Sequence, residues 1–148
     1  KNIDSIEKLL PNNHDYVFIL YLQSQSSGHW SILTNNNNCI EFMCSYGSSP
    51  STPLKWTPEN LRVSLGMNTP YLDILLNKTD KKVIYSPIDY QNNRDLKVST
   101  CGRHNCFRLM TILKYDMALT DYYKMMKEIK EKMNMTYDDI VSEYIDIM

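Results

Sequence analysis

The chain has 148 residues, of which 43% are hydrophobic and 22% charged, with a formal charge of −1. This length suits one domain over residues 1–148, and so small a charge gives no broad field for nucleic acid or acidic membranes. No apolar run reaches the ~20 residues of a membrane-crossing helix, and no basic-then-apolar leader pattern is visible. Together with four cysteines, this composition predicts reduced thiols in a cytosol-like compartment, with no membrane partner.

The first half of the chain predicts a short helix followed by closely spaced antiparallel strands. Residues 3–10 are amphipathic and end before Pro11, with Asp4 or Ser5 near their start. Apolar, β-branched and aromatic runs then alternate with polar turns, as is typical of strands. The strands are predicted over residues 16–22, 30–33 and 39–44, with turns over 23–28 and 35–38. We interpret residues 16–22 as a buried strand.

The second half predicts mainly helices. Pro58 and Pro70 favour helix starts, Pro87 ends a fourth strand, and Thr136 is a plausible N-cap. Loops are predicted over residues 46–56 and 88–100, the strand over 81–86, and helices over 59–65, 71–76, from 101 onward, 122–133 and 137–147. Strands followed by helices predict an α+β domain, with a central mixed or antiparallel sheet packed by helices.

Cys101 opens the long predicted helix and is directly followed by Gly102. A thiol at a helix N-terminus feels the positive end of the helix dipole, which favours the thiolate. Ser99 and Thr100 are suited to capping that helix, and Gly102 lets a substrate backbone approach. The Cys101 N–H is also available to a developing oxyanion. The alternative is a buried structural cysteine, the commoner fate of such residues.

His29 stands beside Gly28 at the mouth of a predicted strand, where we expect it to be exposed and mobile. A neutral imidazole there could take the thiol proton and later protonate a leaving amine. His14 and His104 have no neighbouring Trp or Gly that would shape a cleft. We therefore interpret both as surface bystanders.

These residues together resemble the adenain/SUMO-protease clan of cysteine peptidases, and most closely the maturation proteases of adenoviruses, virophages and Maverick-type elements. The similarity covers residues 16–113. It is carried, in this order, by His29-Trp30, the run Phe42-Met43-Cys44-Ser45-Tyr46-Gly47, Gln91 and Cys101-Gly102.

The resemblance implies an adenain-like, papain-like fold with the nucleophile at the N-terminus of a buried helix. It assigns Cys101 as nucleophile, His29 as general base and Gln91 as the side chain that completes the oxyanion hole. Trp30 would line a narrow channel for small residues, with Gly102 beside it as a substrate-binding residue.

The position where the clan places its acid holds Cys44 in this sequence. Glu41 lies three positions before Cys44, an odd step along a strand, so its side chain should project from the opposite face. A thiol accepts hydrogen bonds weakly. A Cys–His dyad, an acid supplied from elsewhere and an impaired site all remain open, and we favour a working dyad.

Zinc is the competing use of the cysteines. Cys39 and Cys44, like Cys101 and Cys106, are separated by four residues, the widest of the two to four residues that separate ligands in typical structural zinc sites. Because Cys39 and Cys44 should also point to opposite strand faces, we expect no metal and no cofactor. The lysines of residues 124–132 most simply form a solvated helix face.

We therefore predict a cysteine endopeptidase that cleaves capsid or other virion precursor polypeptides next to Gly or small residues by acyl transfer. It would be a monomer acting in the host cytoplasm or the virion interior, and an activating peptide or weakly bound nucleic acid stays open as a further partner. The alternatives are an isopeptidase for ubiquitin-like modifiers and a degenerate, non-catalytic scaffold.

Overall fold

A four-stranded sheet organises the protein, whose computed structural model describes residues 3–86, 88–91 and 100–145. The strands are β1 (Tyr16–Leu22), β2 (Gly28–Asn36), β3 (Cys39–Cys44) and β4 (Lys82–Tyr85). Across the sheet the order is β1-β2-β3-β4; the first three strands form an antiparallel meander and β4 lies parallel to β3. The predicted α+β class with a mixed sheet packed by helices is confirmed.

β2 is longer than predicted, because Asn35 and Asn36 belong to the strand and not to the turn. Asn35 uses its side-chain amide inside the protein, where Nδ2 donates to the Leu10 carbonyl at 3.0 Å. The turn itself is made by Asn37 and Asn38, whose φ angles are 52° and 62°. Asparagine tolerates this left-handed region better than most residues. A run of four asparagines does not by itself reveal which two will turn.

Helices pack on both faces of the sheet. They are α1 (Ile6–Leu9), α2 (Glu59–Ser64), α3 (Tyr71–Lys78), α4 (Cys101–Tyr115), α5 (Leu119–Met133) and α6 (Tyr137–Tyr144), with a 3-10 turn at Pro53–Trp56. Of the two candidates Asp4 and Ser5, Ser5 caps α1, and the predicted N-cap Thr136 is confirmed at the start of α6, where it also forms a reciprocal capping box with Asp139. Among the described helices, none is both long and apolar enough to cross a membrane.

Two hydrophobic cores lie on opposite faces of the sheet, because alternate strand residues point to alternate faces. The larger core joins the sheet to α4, α5 and α6. It includes Ile32, Met43, Phe107, Leu119, Tyr122, Met126 and Ile140. The smaller core joins the other face to α1 and α3, and includes Ile6, Leu10, Leu33, Ile40, Phe42, Cys44 and Leu76.

β1 is an edge strand and is only half buried, so its interpretation as a buried strand was wrong. Tyr16, Phe18 and Leu20 are 43%, 39% and 37% exposed. They share one face of the strand, and no helix within the described ranges packs fully over them. The strand is apolar because its other face packs, through Val17 and Ile19, against the smaller core.

A buried ion pair fastens α4 to β3. The Glu41 carboxylate accepts a hydrogen bond from the Arg108 guanidinium at 2.5 Å and another from the Leu119 N–H at 3.1 Å. Both charged side chains are almost fully buried. Glu41 thus lies on the face opposite to Cys44, as predicted, and serves the packing of α4 and α5.

Candidate active site

His29 sits at the start of β2, under two aromatic rings. A Cβ at the preceding Gly28 would lie 2.6 Å from the Tyr21 carbonyl oxygen, so only glycine allows β1 this close. The His29 ring stacks on Tyr46 with centroids 4.5 Å apart and meets the edge of Trp56 at 5.6 Å. His29 is consequently only 2% exposed. The expected exposed and mobile histidine was wrong, because the sequence does not show which aromatics fold over it.

Cys44, at the position where the resemblance would place an acid, lies against this histidine. Its Sγ lies 3.2 Å from His29 Nε2, because Cys44 pairs with Ser31, two residues along β2 from His29 and on the same face. Burial raises the pKa of the Cys44 thiol, and hydrogen bonds from the backbone of Ser48 and Tyr46 only partly oppose this. Cys44 is therefore a neutral partner at neutral pH.

The electrostatics of His29 follow from its burial. Loss of water around the ring lowers its pKa from 6.5 to about 4, and within the described part of the chain no carboxylate opposes this shift. At neutral pH the imidazole is accordingly uncharged. It can accept a proton, but an imidazolium is stable there only when an anion forms beside it.

Gln91 is hydrogen-bonded to Ser45, the residue that follows Cys44. Its N–H donates to the Ser45 carbonyl at 2.8 Å, and the Ser45 hydroxyl donates to its Oε1, also at 2.8 Å. With Oε1 bound to Ser45, the NH₂ end of the amide points away from that serine. Gln91 is 3% exposed, so it is not part of a solvated loop; residues 92–99 of the predicted loop lie outside the described residues.

Cys101 is the first residue of α4 and is 8% exposed. Burial raises the pKa of Tyr46, and the charges that Cys101, Cys44 and Asp138 can carry raise it further. The Cys101 thiol therefore lies within electrostatic reach of the phenol whose ring stacks on His29.

The start of α4 is anchored by Asp138 of α6, which sequence reasoning missed. His104 Nε2 lies 2.9 Å from Asp138 Oδ1, and the Thr100 hydroxyl donates to the same oxygen. His104 is fully buried, so its interpretation as a surface bystander was wrong. Thr100 binds Asp138 and does not cap α4 with its side chain, while Ser99 lies outside the described residues. The two bonds bracket Cys101 in the chain.

Trp30 and Gly102 line one cavity. It has a volume of about 190 Å³ and is bounded by Phe18, Trp30, Gly102, Asn105 and Cys106. The two residues predicted to bind substrate are therefore brought together, next to Cys101 in the chain. Trp30 is 39% exposed, which leaves its ring accessible to a ligand.

One curated protein shows clear similarity to the chain. It is "Uncharacterized protein V9" of Sputnik virophage, which is 30% identical over 125 residues, covering 84% of this chain and 69% of that protein. The chain belongs to the V9 family. This similarity links it to virophage proteins. No protein-family model matches the sequence, and no solved structure shows significant similarity.

In this member of the V9 family the arrangement suits proton transfer and nucleophilic chemistry at sulfur. The neutral base His29 and the fixed amide of Gln91 meet the end of β3 at Cys44 and Ser45, and the Cys101 thiol stands at the start of α4. His14 is part of a different, partly exposed pair, with Nε2 2.6 Å from Asp116 Oδ1. Over the described ranges, no three His, Cys, Asp or Glu side chains cluster in a way that could hold a metal ion.

Proposed function

We propose that the protein is a cysteine endopeptidase of the adenain/SUMO-protease type that matures virion precursor polypeptides. The observation that carries this proposal is the setting of His29. One nitrogen of its ring contacts the Cys44 sulfur, and the ring stacks on Tyr46. The pKa of Tyr46 is in turn raised by the charge that Cys101 can carry. Cys101 itself begins a helix, where a developing negative charge is favoured.

The acylation step starts from the neutral imidazole of His29. With Nε2 protonated and donating to Cys44, Nδ1 of His29 carries the lone pair that takes the Cys101 proton. The sulfur forms a bond to the scissile carbonyl carbon, and the carbonyl π electrons move to the oxygen. His29 then returns the proton to the amide nitrogen as the C–N bond breaks, which leaves a thioester.

The oxyanion of the tetrahedral intermediate needs donors that are already in place. The Cys101 N–H lies in the first turn of α4, where backbone donors have no partner within the helix. The Gln91 amide supplies a second donor, fixed through Ser45. Water then adds to the thioester, and collapse of that second intermediate releases the carboxylic acid and restores the Cys101 thiol.

The resemblance to the clan, applied to Trp30 and Gly102, implies the class of substrate. Their shared cavity borders the start of α4, and the clan's Trp narrows the channel so that Gly or another small residue precedes the cut. The link to virophage proteins supports virion precursors as substrates. We place this activity in the host cytoplasm or the virion interior.

A non-catalytic scaffold is the second candidate, and Cys44 is the observation that favours it. A carboxylate in that position would stabilise the imidazolium of His29, whereas the buried neutral thiol does not. A protein that has exchanged catalysis for a structural role would tolerate such a thiol.

Covalent labelling separates these candidates. We would treat the protein with a peptide vinyl sulfone that ends in Gly-Gly and locate the adduct by mass spectrometry. Cys106 is exposed and lies on the same helix as the buried Cys101. A small alkylating agent should therefore prefer Cys106, whereas a working peptidase directs the peptide probe to Cys101.

The matched control is Cys101→Ala, which should lose the peptide adduct and keep alkylation at Cys106. Cleavage products of candidate virion proteins would then identify the substrate. A peptide probe that modifies Cys106 before Cys101, with Cys101→Ala indistinguishable from the wild type, would contradict the peptidase and favour the scaffold.

A further inference from the structure

The outer edge of β1 lacks the features that keep most sheet edges from pairing. β1 has seven residues, and none of them is charged or a proline. The opposite edge strand, β4, has four residues and begins with Lys82, directly after Lys81. Short strands and lysine side chains are common means of blocking an edge, so β4 is protected and β1 is open to a further strand.

The backbone of β1 shows which groups a further strand would meet. In an antiparallel ladder, every second residue directs both its N–H and its C=O to the partner strand. One residue past the end of β1, the Gln23 N–H donates to the Ser27 carbonyl at 2.9 Å, so the odd-numbered residues bond β2 and the even-numbered residues direct these groups outward. Within the described ranges, no partner meets the outward groups of Tyr16, Phe18 and Leu20.

The side chains of these three residues are apolar and exposed. A ring of ~200 Å² that is two-fifths exposed leaves roughly 80 Å² in contact with water, and this applies to both Tyr16 and Phe18. Even with Leu20 and the strand backbone, two copies would bury less than the ~1,000 Å² of a stable interface. An association through this edge should therefore be weak and reversible.

A second copy of β1 matches this edge in register. Antiparallel pairing about a two-fold axis at Phe18 places Phe18 opposite its counterpart and Tyr16 opposite Leu20. Every outward N–H and C=O of the three residues then finds a partner, and the cross-strand contacts are aromatic and aliphatic, which stabilises a sheet. A register shifted toward Leu22 is less favourable, because its carbonyl already accepts a hydrogen bond from Thr57.

Charge does not oppose this pairing. Asp15, one residue before β1, is the ionisable carboxylate closest to the strand in the sequence. In the register centred on Phe18 it faces position 21 of the other copy, so the two Asp15 carboxylates lie about 20 Å apart. At that distance physiological salt screens most of their repulsion. A second β1 thus supplies both the backbone partners and the uncharged apolar side chains that this edge needs.

We propose that the β1 edge is a homodimer interface, at which two copies join their four-stranded sheets into one continuous sheet through antiparallel β1 strands centred on Phe18. This dimer takes the place of the monomer expected from the sequence. The proposal does not depend on the peptidase function, because no residue assigned to catalysis lies on β1.

Sedimentation velocity over a concentration series tests the association. The wild type should dimerise with a dissociation constant on the order of 10 μM, the weak end expected for so small an interface. Phe18→Lys places two ammonium groups opposite each other and should weaken the dimer about 100-fold. Met133→Lys is the matched control, because Met133 is 63% exposed but lies on α5 and not in the sheet. It should leave dimerisation unchanged.

Disulfide trapping tests the register and does not depend on the folding of Phe18→Lys. The background is Cys106→Ser, which removes the exposed native thiol. Phe18→Cys should form a linked dimer on mild oxidation, because hydrogen-bonded strand partners have Cα atoms about 5.5 Å apart, within disulfide range. Leu20→Cys is the control, because it has similar exposure but its two copies would lie about 14 Å apart. Equal cross-linking of both variants would overturn the proposed pairing.

Hydrogen exchange separates strand pairing from contacts made elsewhere on the surface. The amides of Tyr16, Phe18 and Leu20 should be protected above the dissociation constant and exchange faster on dilution. A protein that stays monomeric to millimolar concentration, or that dimerises with no change in these amides, would overturn the proposal. So would a monomer in which an added alternating Thr-Val peptide is needed to protect them, a result that would assign the edge to an extended peptide.

Discussion

Two histidines, His29 and His104, are buried, and their partners differ. His104 meets the carboxylate of Asp138 at 2.9 Å, whereas His29 meets the thiol of Cys44 at 3.2 Å. Both rings are almost completely removed from water. A carboxylate holds a buried imidazole by charge as well as by a hydrogen bond, and a neutral thiol holds it by orientation alone.

This difference separates two tasks. Asp138 also accepts a hydrogen bond from Thr100, so it fixes the residues on both sides of Cys101 and acts as an anchor. The neutral setting of His29 keeps its proton affinity low until a thiolate forms, which suits a base that must release its proton again. The pair with the stronger interaction is thus structural, and the pair with the weaker interaction is the one we assign to catalysis.

The largest expected effect comes from replacing each of the two histidines separately with glutamine. His29→Gln should slow acylation of Cys101 by the peptide probe by about 10³-fold, the range that a general base supplies. His104→Gln should slow it less than about tenfold, because an amide still reaches Asp138. Acylation rates are measured by mass spectrometry on folded protein, with circular dichroism as the control. The reverse ranking would make His104 the base and refute the division of tasks.

Asp138 and Asp139 test the anchor, since they are neighbours in one turn of α6. Asp138→Ala leaves His104 and Thr100 without their shared acceptor and should lower the free energy of unfolding by about 1–3 kcal/mol for each group left unpaired. Asp139→Ala removes only the capping-box partner of Thr136 and should cost about 1 kcal/mol. Urea unfolding measures both. Equal losses would show that Asp138 does no more than start its own helix.

Local sequence patterns carried most of the fold. The strands β1 and β3 and the start of α4 lie where periodicity and turn residues predicted them, because these elements depend on neighbours in the chain. The extension of β2 and the exposure of β1 were not predictable. They depend on long-range contacts, such as that between Asn35 and Leu10, and on which faces the helices leave open.

The site shows the same limit. The pairing of Cys44 with His29 was implied by the resemblance, which puts the clan's acid at the position of Cys44, and the register of β2 and β3 brings the two side chains to the same face. The burial of His29 and the role of Asp138 could not be predicted. The first depends on Tyr46 and Trp56 folding back over β2, and the second on α6 packing beside α4.

Lowering the pH should reduce the free energy of unfolding through the buried imidazole of His29. The pKa of His29 is lowered from 6.5 to about 4 in the folded protein, so the unfolded chain binds this proton first as the pH falls. Its contribution to stability is complete above about pH 6.5 and is lost by about pH 4, a total of about 3 kcal/mol. Unfolding free energies over this range should fall less steeply in His29→Gln. Parallel curves for the two proteins would contradict a buried neutral imidazole.

The smallest expected effect comes from a substitution that gives His29 a carboxylate partner, as His104 already has. Cys44→Asp places a carboxylate beside His29 Nε2, where it should raise the pKa of the imidazole and increase acylation of Cys101 by about tenfold. The backbone donors of Ser48 and Tyr46 that already face the Cys44 sulfur would hold the new charge. Cys44→Ser is the matched control, since it changes the acceptor without adding charge and should leave the rate within about threefold.

A carboxylate at position 44 would have to be buried. Without enough hydrogen-bond donors around it, this burial would lower the free energy of unfolding even if the acylation rate rose. The acylation rate and the unfolding free energy of Cys44→Asp are therefore measured together. A variant that is acylated faster but is less stable would show that the Cys44 thiol favours a neutral, well-packed strand end over a higher acylation rate. A slower variant that remains folded would mean that Cys44 does not occupy the acid position, and that His29 takes its orientation from Tyr46 and Trp56 alone.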